Sequence, residues 1–189
     1  MTALVIASML ALPFGTWLAI RRFRYRRFAI SVLNALMGLP PVVVGLIVYL
    51  LLSRSGPFGV MGLLFTPTAM IIAQVILVTP IITSLSCQII EDLQEDYKEY
   101  FSSLVISPQK AIKAYIYDAR YSLMTVVLAG FGRAISEVGA VIIVGGNIDH
   151  LTRVMTTSIS LETSKGNLPL ALALGLILLI ISLLSLIHI

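Results

Sequence analysis

Arg133 and Glu137 are the residues of this sequence whose types and spacing most invite chemistry. They stand four residues apart in a stretch, Tyr121 to Gly145, that carries no other charge. A charge inside a membrane-spanning helix costs about 2.5–3.5 kcal/mol on insertion scales, so such residues face a bundle interior or a water-filled cavity. Two roles are open. The pair can be an intrahelical ion pair, since residues four apart share a helix face, although acid before base is the stronger order. Alternatively it lines a translocation path or its gate. There the arginine would suit an anionic cargo, and the glutamate would hold the arginine when no cargo passes. Gly132, Ser136 and Ala140 fall at four-residue spacing beside the pair, which either lets two helices approach closely or is an incidental run of small residues.

Little else in the chain suggests a reaction. There is no nucleophile with a base beside it, no HExxH and no glycine loop built to cradle phosphate. Cys87 is the one cysteine, which excludes an intrachain disulfide and a cysteine metal cluster. His150 and His188 lie far apart with no metal-ligand spacing around either. No metal site, bound cofactor or catalytic residue is expected.

The elements that must position the pair are read from composition. Of 189 residues, 58% are hydrophobic and 12% charged, and the mean hydropathy is +1.01. Soluble domains carry roughly 25% charged residues. The expected fold is therefore all-α, a polytopic transmembrane helical bundle forming a single domain over residues 1–189. A span needs about 20 apolar residues. Five are expected: Thr2 to Ile20; a span within Phe28 to Ser53 kinked at Pro40 and Pro41; Thr68 to Ile90, with Thr79-Pro80 suggesting a second kink; Tyr121 to Gly145; and one opening at Asn167 and running to the end. Ser53 to Pro67 and Gly146 to Asn167 read as loops. Pro40, Pro41, Thr79 and Ser136 join Arg133 and Glu137 as candidates for a pathway or gate.

Arg21, Arg22, Arg24, Arg26 and Arg27 crowd one short segment, with Phe23 and Tyr25 interleaved. Flanked by uncharged apolar runs, this is a membrane-orienting loop and not a nucleic-acid surface. The charges follow the first apolar run, whereas a signal peptide carries them before it. Counting lysines and arginines places this segment and Glu91 to Arg120 on the cytoplasmic side, with the amino terminus outside. Glu91 to Arg120 is read as two short helices meeting near Val105 to Ser107. Ser107 and Pro108 supply an N-cap and a first helical residue. Its apolar tip, which includes Leu104, Val105 and Ile106, is either a docking knob for a soluble partner or part of a helix at the bilayer interface.

Together these stretches resemble the membrane permease of ABC importers, in the molybdate, sulfate and tungstate branch, and are nearest in form to tungstate-type permeases. Gly38-Leu39-Pro40-Pro41-Val42-Val43-Val44-Gly45-Leu46 is similar to the proline-kinked helix of that branch. Gly130-Phe131-Gly132-Arg133-Ala134-Ile135-Ser136-Glu137-Val138-Gly139-Ala140, with Val144-Gly145-Gly146-Asn147-Ile148, resembles its signature segment. In the cytoplasmic loop Glu99 matches the family's glutamate, while Tyr100 and Phe101 stand where the family has alanines and Val105 where it has glycine. The resemblance covers the chain from about Pro13 onward.

The resemblance implies a type I importer permease. It would work as a homodimer in a prokaryotic plasma or inner membrane, with an extracytoplasmic oxyanion-binding protein and separate ABC ATPase subunits that bind ATP and magnesium. It implies an ATPase coupling loop over about 91–120, including Glu99, Leu104, Val105, Ile106, Ser107 and Pro108. The cargo would be tungstate or, alternatively, molybdate or sulfate. Members often have more sequence before the first span, and the last span here ends without a polar cap, so the chain is expected to be truncated at both ends. An ion-coupled secondary transporter or channel subunit is the rival of another class. It predicts repeated halves and broken helices, and no repeat is visible. A membrane scaffold is a third reading, which leaves Arg133 and Glu137 without a purpose.

Overall fold

The computed structural model describes residues 1–21, 23–103 and 108–187, and at 98–103, 108–112 and 186 only their backbone. The described residues form α-helices and one short 3-10 turn. The helices are α1 (Thr2–Ile20), α2 (Arg26–Met37), α3 (Pro41–Leu52), α4 (Pro67–Ser103), α5 (Pro108–Asp118), α6 (Arg120–Ile135), α7 (Gly139–Gly145), α8 (Met155–Ser164) and α9 (Leu168–Ile187). Helices α1, α4 and α9 are long and apolar enough to cross a membrane. Counting α2 with α3 and α6 with α7 as one broken span each gives five. The all-helical membrane bundle expected from composition is present.

Two compact units divide the chain, one built on Ala3–Gly38 and Val78–Gly130, the other on Leu39–Leu77 and Phe131 onward. In the first, α1 buries Ala3, Ala7, Ala11, Gly15 and Ala19. Small residues at four-residue spacing let helix backbones close on each other. A methyl group on Gly15 would lie 2.6 Å from the Thr83 carbonyl oxygen of α4. The end of α1 is closed by Arg26, whose Nε donates to the Leu18 carbonyl at 2.9 Å and whose guanidinium also reaches Ala19 and the Glu91 carboxylate. Leu18, Ala19, Cys87, Ile90, Tyr115, Ala119 and Leu123 form the core below, so α5 rests on this base.

The second unit is built around α3 and α7. Val44, Val48, Leu52, Ala69, Met70, Ala73, Leu77, Ala140, Val141 and Val144 form its core. The closest approach is at Gly45, where an added methyl group would lie 2.7 Å from the Ala140 Cα. The end of α7 is held by Thr152, buried, whose hydroxyl donates to the Gly145 carbonyl at 2.6 Å and accepts from the Ile148 amide at 2.8 Å. Gly146 takes φ +69° there, a left-handed cap that glycine adopts without steric cost.

Several expectations need correction. Pro40 and Pro41 do not kink a helix. They start one: Pro40 is the N-cap of α3 and Pro41 its first residue, where the missing amide hydrogen costs nothing. The stretch Phe28 to Ser53 is therefore two helices interrupted at Gly38, Leu39 and Pro40. The stretch Tyr121 to Gly145 is also broken, at Ser136, Glu137 and Val138. That break removes the single face expected for Gly132, Ser136 and Ala140: Ser136 is exposed, Ala140 is buried, and an added methyl on Gly132 would touch nothing within 4 Å. The loop Gly146 to Asn167 contains α8, opened by Thr157, whose hydroxyl accepts from the Val154 amide and donates to the Val154 carbonyl. In Glu91 to Arg120 the first of the two short helices is the continuation of α4, which runs without interruption through Pro80 to Ser103. The turn at Val105 to Ser107 lies outside the described residues.

Candidate functional site

The break between α6 and α7 is written locally. Ser136 turns its hydroxyl back to the Arg133 carbonyl at 3.1 Å, a local bond that competes with helix continuation. The Glu137 amide donates to Ala134 and not four residues back. Gly139 then opens α7, where an added methyl would lie 2.9 Å from a Val42 methyl of α3.

Glu137 occupies the break and is 4% exposed. Its Oε2 accepts from the Arg133 guanidinium at 2.9 Å, and its Oε1 accepts from the Ala140 amide at 3.0 Å. Its backbone carbonyl accepts from the Thr156 hydroxyl of α8 at 3.3 Å. One residue thus ties the end of α6 to the starts of α7 and α8. Each carboxylate oxygen has a donor, which a buried charge requires. Arg133 differs from its partner: its side chain is 28% exposed, and Glu137 is its one hydrogen-bond acceptor among the described residues. A guanidinium carries five N–H donors, so most of those of Arg133 are uncommitted. Gln74 of α4 supports the same turn, its amide reaching the Ala134 carbonyl at 3.4 Å.

The site therefore unites Arg133 and Glu137, places Ser136 in the break beside them, and sets the start of α3 against the start of α7, next to Pro41. The pair is not the intrahelical one that its spacing allows, because Glu137 lies beyond the end of α6. Thr79 belongs to the other compact unit, where its hydroxyl is buried without a hydrogen-bond partner among the described residues. Leu104, Val105, Ile106 and Ser107 lie outside the described residues, and Glu99 and Pro108 are described in backbone only, at the end of α4 and the start of α5. Sequence reasoning missed Thr156 and the Gly45–Ala140 contact. For the second a signal existed, a glycine inside an apolar helix, where glycine is otherwise costly.

A chain with several apolar spans, one of them broken around an ion pair whose acid is buried and whose arginine is partly open, is a multi-pass membrane protein of the transport class. Residues 11–188 match the family described as binding-protein-dependent transport system inner membrane component, and the chain belongs to that family. It is 45% identical to the tungstate uptake system permease protein TupB of Peptoclostridium acidaminophilum, over 96% of this chain and 79% of that one. It is 43% identical to a probable anion ABC transporter permease protein of Haloferax volcanii, over 94% of this chain and 78% of the other. It is 42% identical to the tungstate uptake system permease protein TupB of Campylobacter jejuni, over 85% of this chain and 67% of that one.

Proposed function

We propose that this chain is the membrane-spanning subunit through which an ATP-driven importer passes tungstate or a related tetrahedral oxyanion. The observation that carries the cargo is the 45% identity to a tungstate uptake permease over nearly the whole chain. The partly exposed, under-committed Arg133 supports it, since an arginine with free donors is suited to binding an anion's oxygens. In this reading Arg133 contacts the cargo and Glu137 is a positioning residue. Glu137 holds the guanidinium in place while its second oxygen keeps α7 anchored. The arginine then leaves and returns without losing the break that presents it.

Partners complete the reading. ABC ATPase subunits bind ATP and magnesium and dock on the coupling loop at about 91–120. An oxyanion-binding protein delivers cargo from outside, and a second permease copy completes the pathway. The amino terminus is outside, which the crowding of Arg21 to Arg27 supports. Hydrolysis takes place on the ATPase, and this chain couples it to movement.

The test is reconstitution of the chain with its genomic neighbours in proteoliposomes. An ATPase should co-purify, and tungstate uptake should require both ATP and the binding protein. Unlabelled molybdate and sulfate are then added as competitors. Absence of a co-purifying ATPase, or uptake independent of ATP, sinks the importer reading. Stronger competition by molybdate or sulfate than by tungstate reassigns the cargo.

A further inference from the structure

Residues 152–156 run alongside α7 and are fastened to both of its ends. The Thr152 hydroxyl donates to the Gly145 carbonyl at 2.6 Å, and the Thr156 hydroxyl donates to the Glu137 carbonyl at 3.3 Å. Both threonines are buried. The segment is antiparallel to α7, with Thr152 at the last residue of the helix and Thr156 just ahead of its first. The lengths agree. α7 has seven residues, roughly 10 Å at 1.5 Å per residue, and four steps of extended chain reach roughly 13 Å. Val154, in the middle of the segment, is extended, with φ −118° and ψ 169°.

This strap is itself pinned. Arg153 pairs with Asp149 at 2.8 Å. The Thr152 and Arg153 amides both donate to the Ile148 carbonyl at 3.0 Å. Thr157, one residue past the strap, bonds both the amide and the carbonyl of Val154. The position of the Thr156 hydroxyl is therefore set on both sides of it and not by α8 alone.

The bond at Thr156 has a competitor. In an unbroken helix the Glu137 carbonyl would accept from the amide four residues on, that of Val141. Among the described residues no backbone amide donates to it, and the Thr156 hydroxyl is its donor. A buried carbonyl needs a donor, so without this hydroxyl the Val141 amide is the nearest substitute and α6 would join α7. Joining would change the ion pair. The Ala140 amide, which now donates to Glu137 Oε1 at 3.0 Å, would turn to the Ser136 carbonyl. Both carboxylate oxygens would then turn to Arg133 and take up guanidinium donors that are now uncommitted.

We infer that Thr156 is a positioning residue for Arg133: its hydroxyl holds the break between α6 and α7 open, and the strap that starts at Thr152 keeps it in reach. The inference rests on the oxyanion-importer reading above, in which Arg133 contacts the cargo. It extends that site to a residue of α8 that acts through the Glu137 backbone.

The experiment uses the reconstituted complex with its ATPase and binding protein, and it reads tungstate moved per ATP hydrolysed. A loss of folded protein lowers uptake and hydrolysis together and leaves that ratio unmoved. Thr156→Val keeps the shape of the side chain and removes the hydroxyl. It should lower the ratio about tenfold, the size of one buried hydrogen bond. Thr156→Ser keeps the hydroxyl and should stay within about twofold of the unsubstituted complex. A valine variant within that same margin overturns the inference. So does a serine variant as impaired as valine, because the methyl group and not the hydroxyl then matters. If the valine variant fails to assemble, Thr156→Cys, whose thiol is a weak donor, is judged by the same ratio. Failure of that variant to assemble as well makes the role structural and overturns the inference. An unsubstituted complex that moves no tetrahedral oxyanion fails the functional reading itself, whereas a working complex indifferent to Thr156→Val fails the role of Thr156 alone.

Discussion

The guanidinium of Arg133 and the carboxylate of Glu137 meet at 2.9 Å across the end of a helix, not along one. Because Glu137 lies outside α6, its position depends on its own bonds and not on helix geometry. The pair is asymmetric: the acid is buried and the base is partly open.

That asymmetry separates stability from transport. Arg133→Ala should destabilise the protein by about 3–5 kcal/mol, the cost of orphaning a buried charge. Adding Glu137→Gln should restore most of this, since a neutral amide still accepts from Ala140. Thermal unfolding in detergent reads the first effect and uptake the second. Transport should stay lost in the stable double variant. Recovered transport would make the pair purely structural.

Gly45 and Gly132 should respond oppositely to alanine. At Gly45 the new methyl meets the Ala140 backbone at 2.7 Å, and overpacking of that kind costs about 1–3 kcal/mol. At Gly132 nothing lies within 4 Å, and a helical glycine replaced by alanine gains up to about 1 kcal/mol. The melting temperature should fall for Gly45→Ala and hold or rise for Gly132→Ala. A fall in both would restore the small-residue face once expected at Gly132, Ser136 and Ala140.

Arg26 and Glu91 should show partial rescue on exchange. Arg26→Glu loses the ion pair and both carbonyl bonds at the end of α1. The pair is partly exposed, so its own share is about 1 kcal/mol or less. Adding Glu91→Arg should recover that share and leave the carbonyl bonds missing. Full recovery of the melting temperature would mean that the carbonyl bonds contribute nothing.

Glu162 gives a pH signature. Lys165 at 2.8 Å and Asn167 at 3.1 Å donate to its carboxylate and hold its pKa below the ordinary value, the lysine bond foremost. The folded value is thus the lower one. Its stabilisation of the turn before α9 is complete above the unfolded value and is lost as pH falls through the folded one. Lys165→Ala should move the Glu162 titration midpoint upward in carbon-detected NMR. An unmoved midpoint would remove the lysine as the cause.

Much of this was legible in the sequence, because membrane burial writes itself as long uncharged runs. The run Thr2 to Ile20 became α1 unchanged. Arg133 and Glu137 were found because a charge at that depth demands a reason. The breaks were harder. Proline announces both a kink and a helix start, and only the backbone at Pro40 and Pro41 distinguishes them. Ser136-Glu137-Val138 contains no proline or glycine, and although Ser136 turns locally onto Arg133, a serine in a helix need not do so; the Glu137 bonds that fix the break reach α7 and α8. The helix α8 reads as loop in the sequence because threonines and serines are polar punctuation there, whereas in the fold Thr157 also caps the helix.

The break has one more consequence. Among the described residues, the amide of Val138 donates to no backbone acceptor. Hydrocarbon tolerates such groups only where protein or a wet cavity surrounds them. In deuterated buffer this position should therefore exchange ahead of the helices on either side, so that isotope uptake from solvent would mark how deeply water penetrates the bilayer.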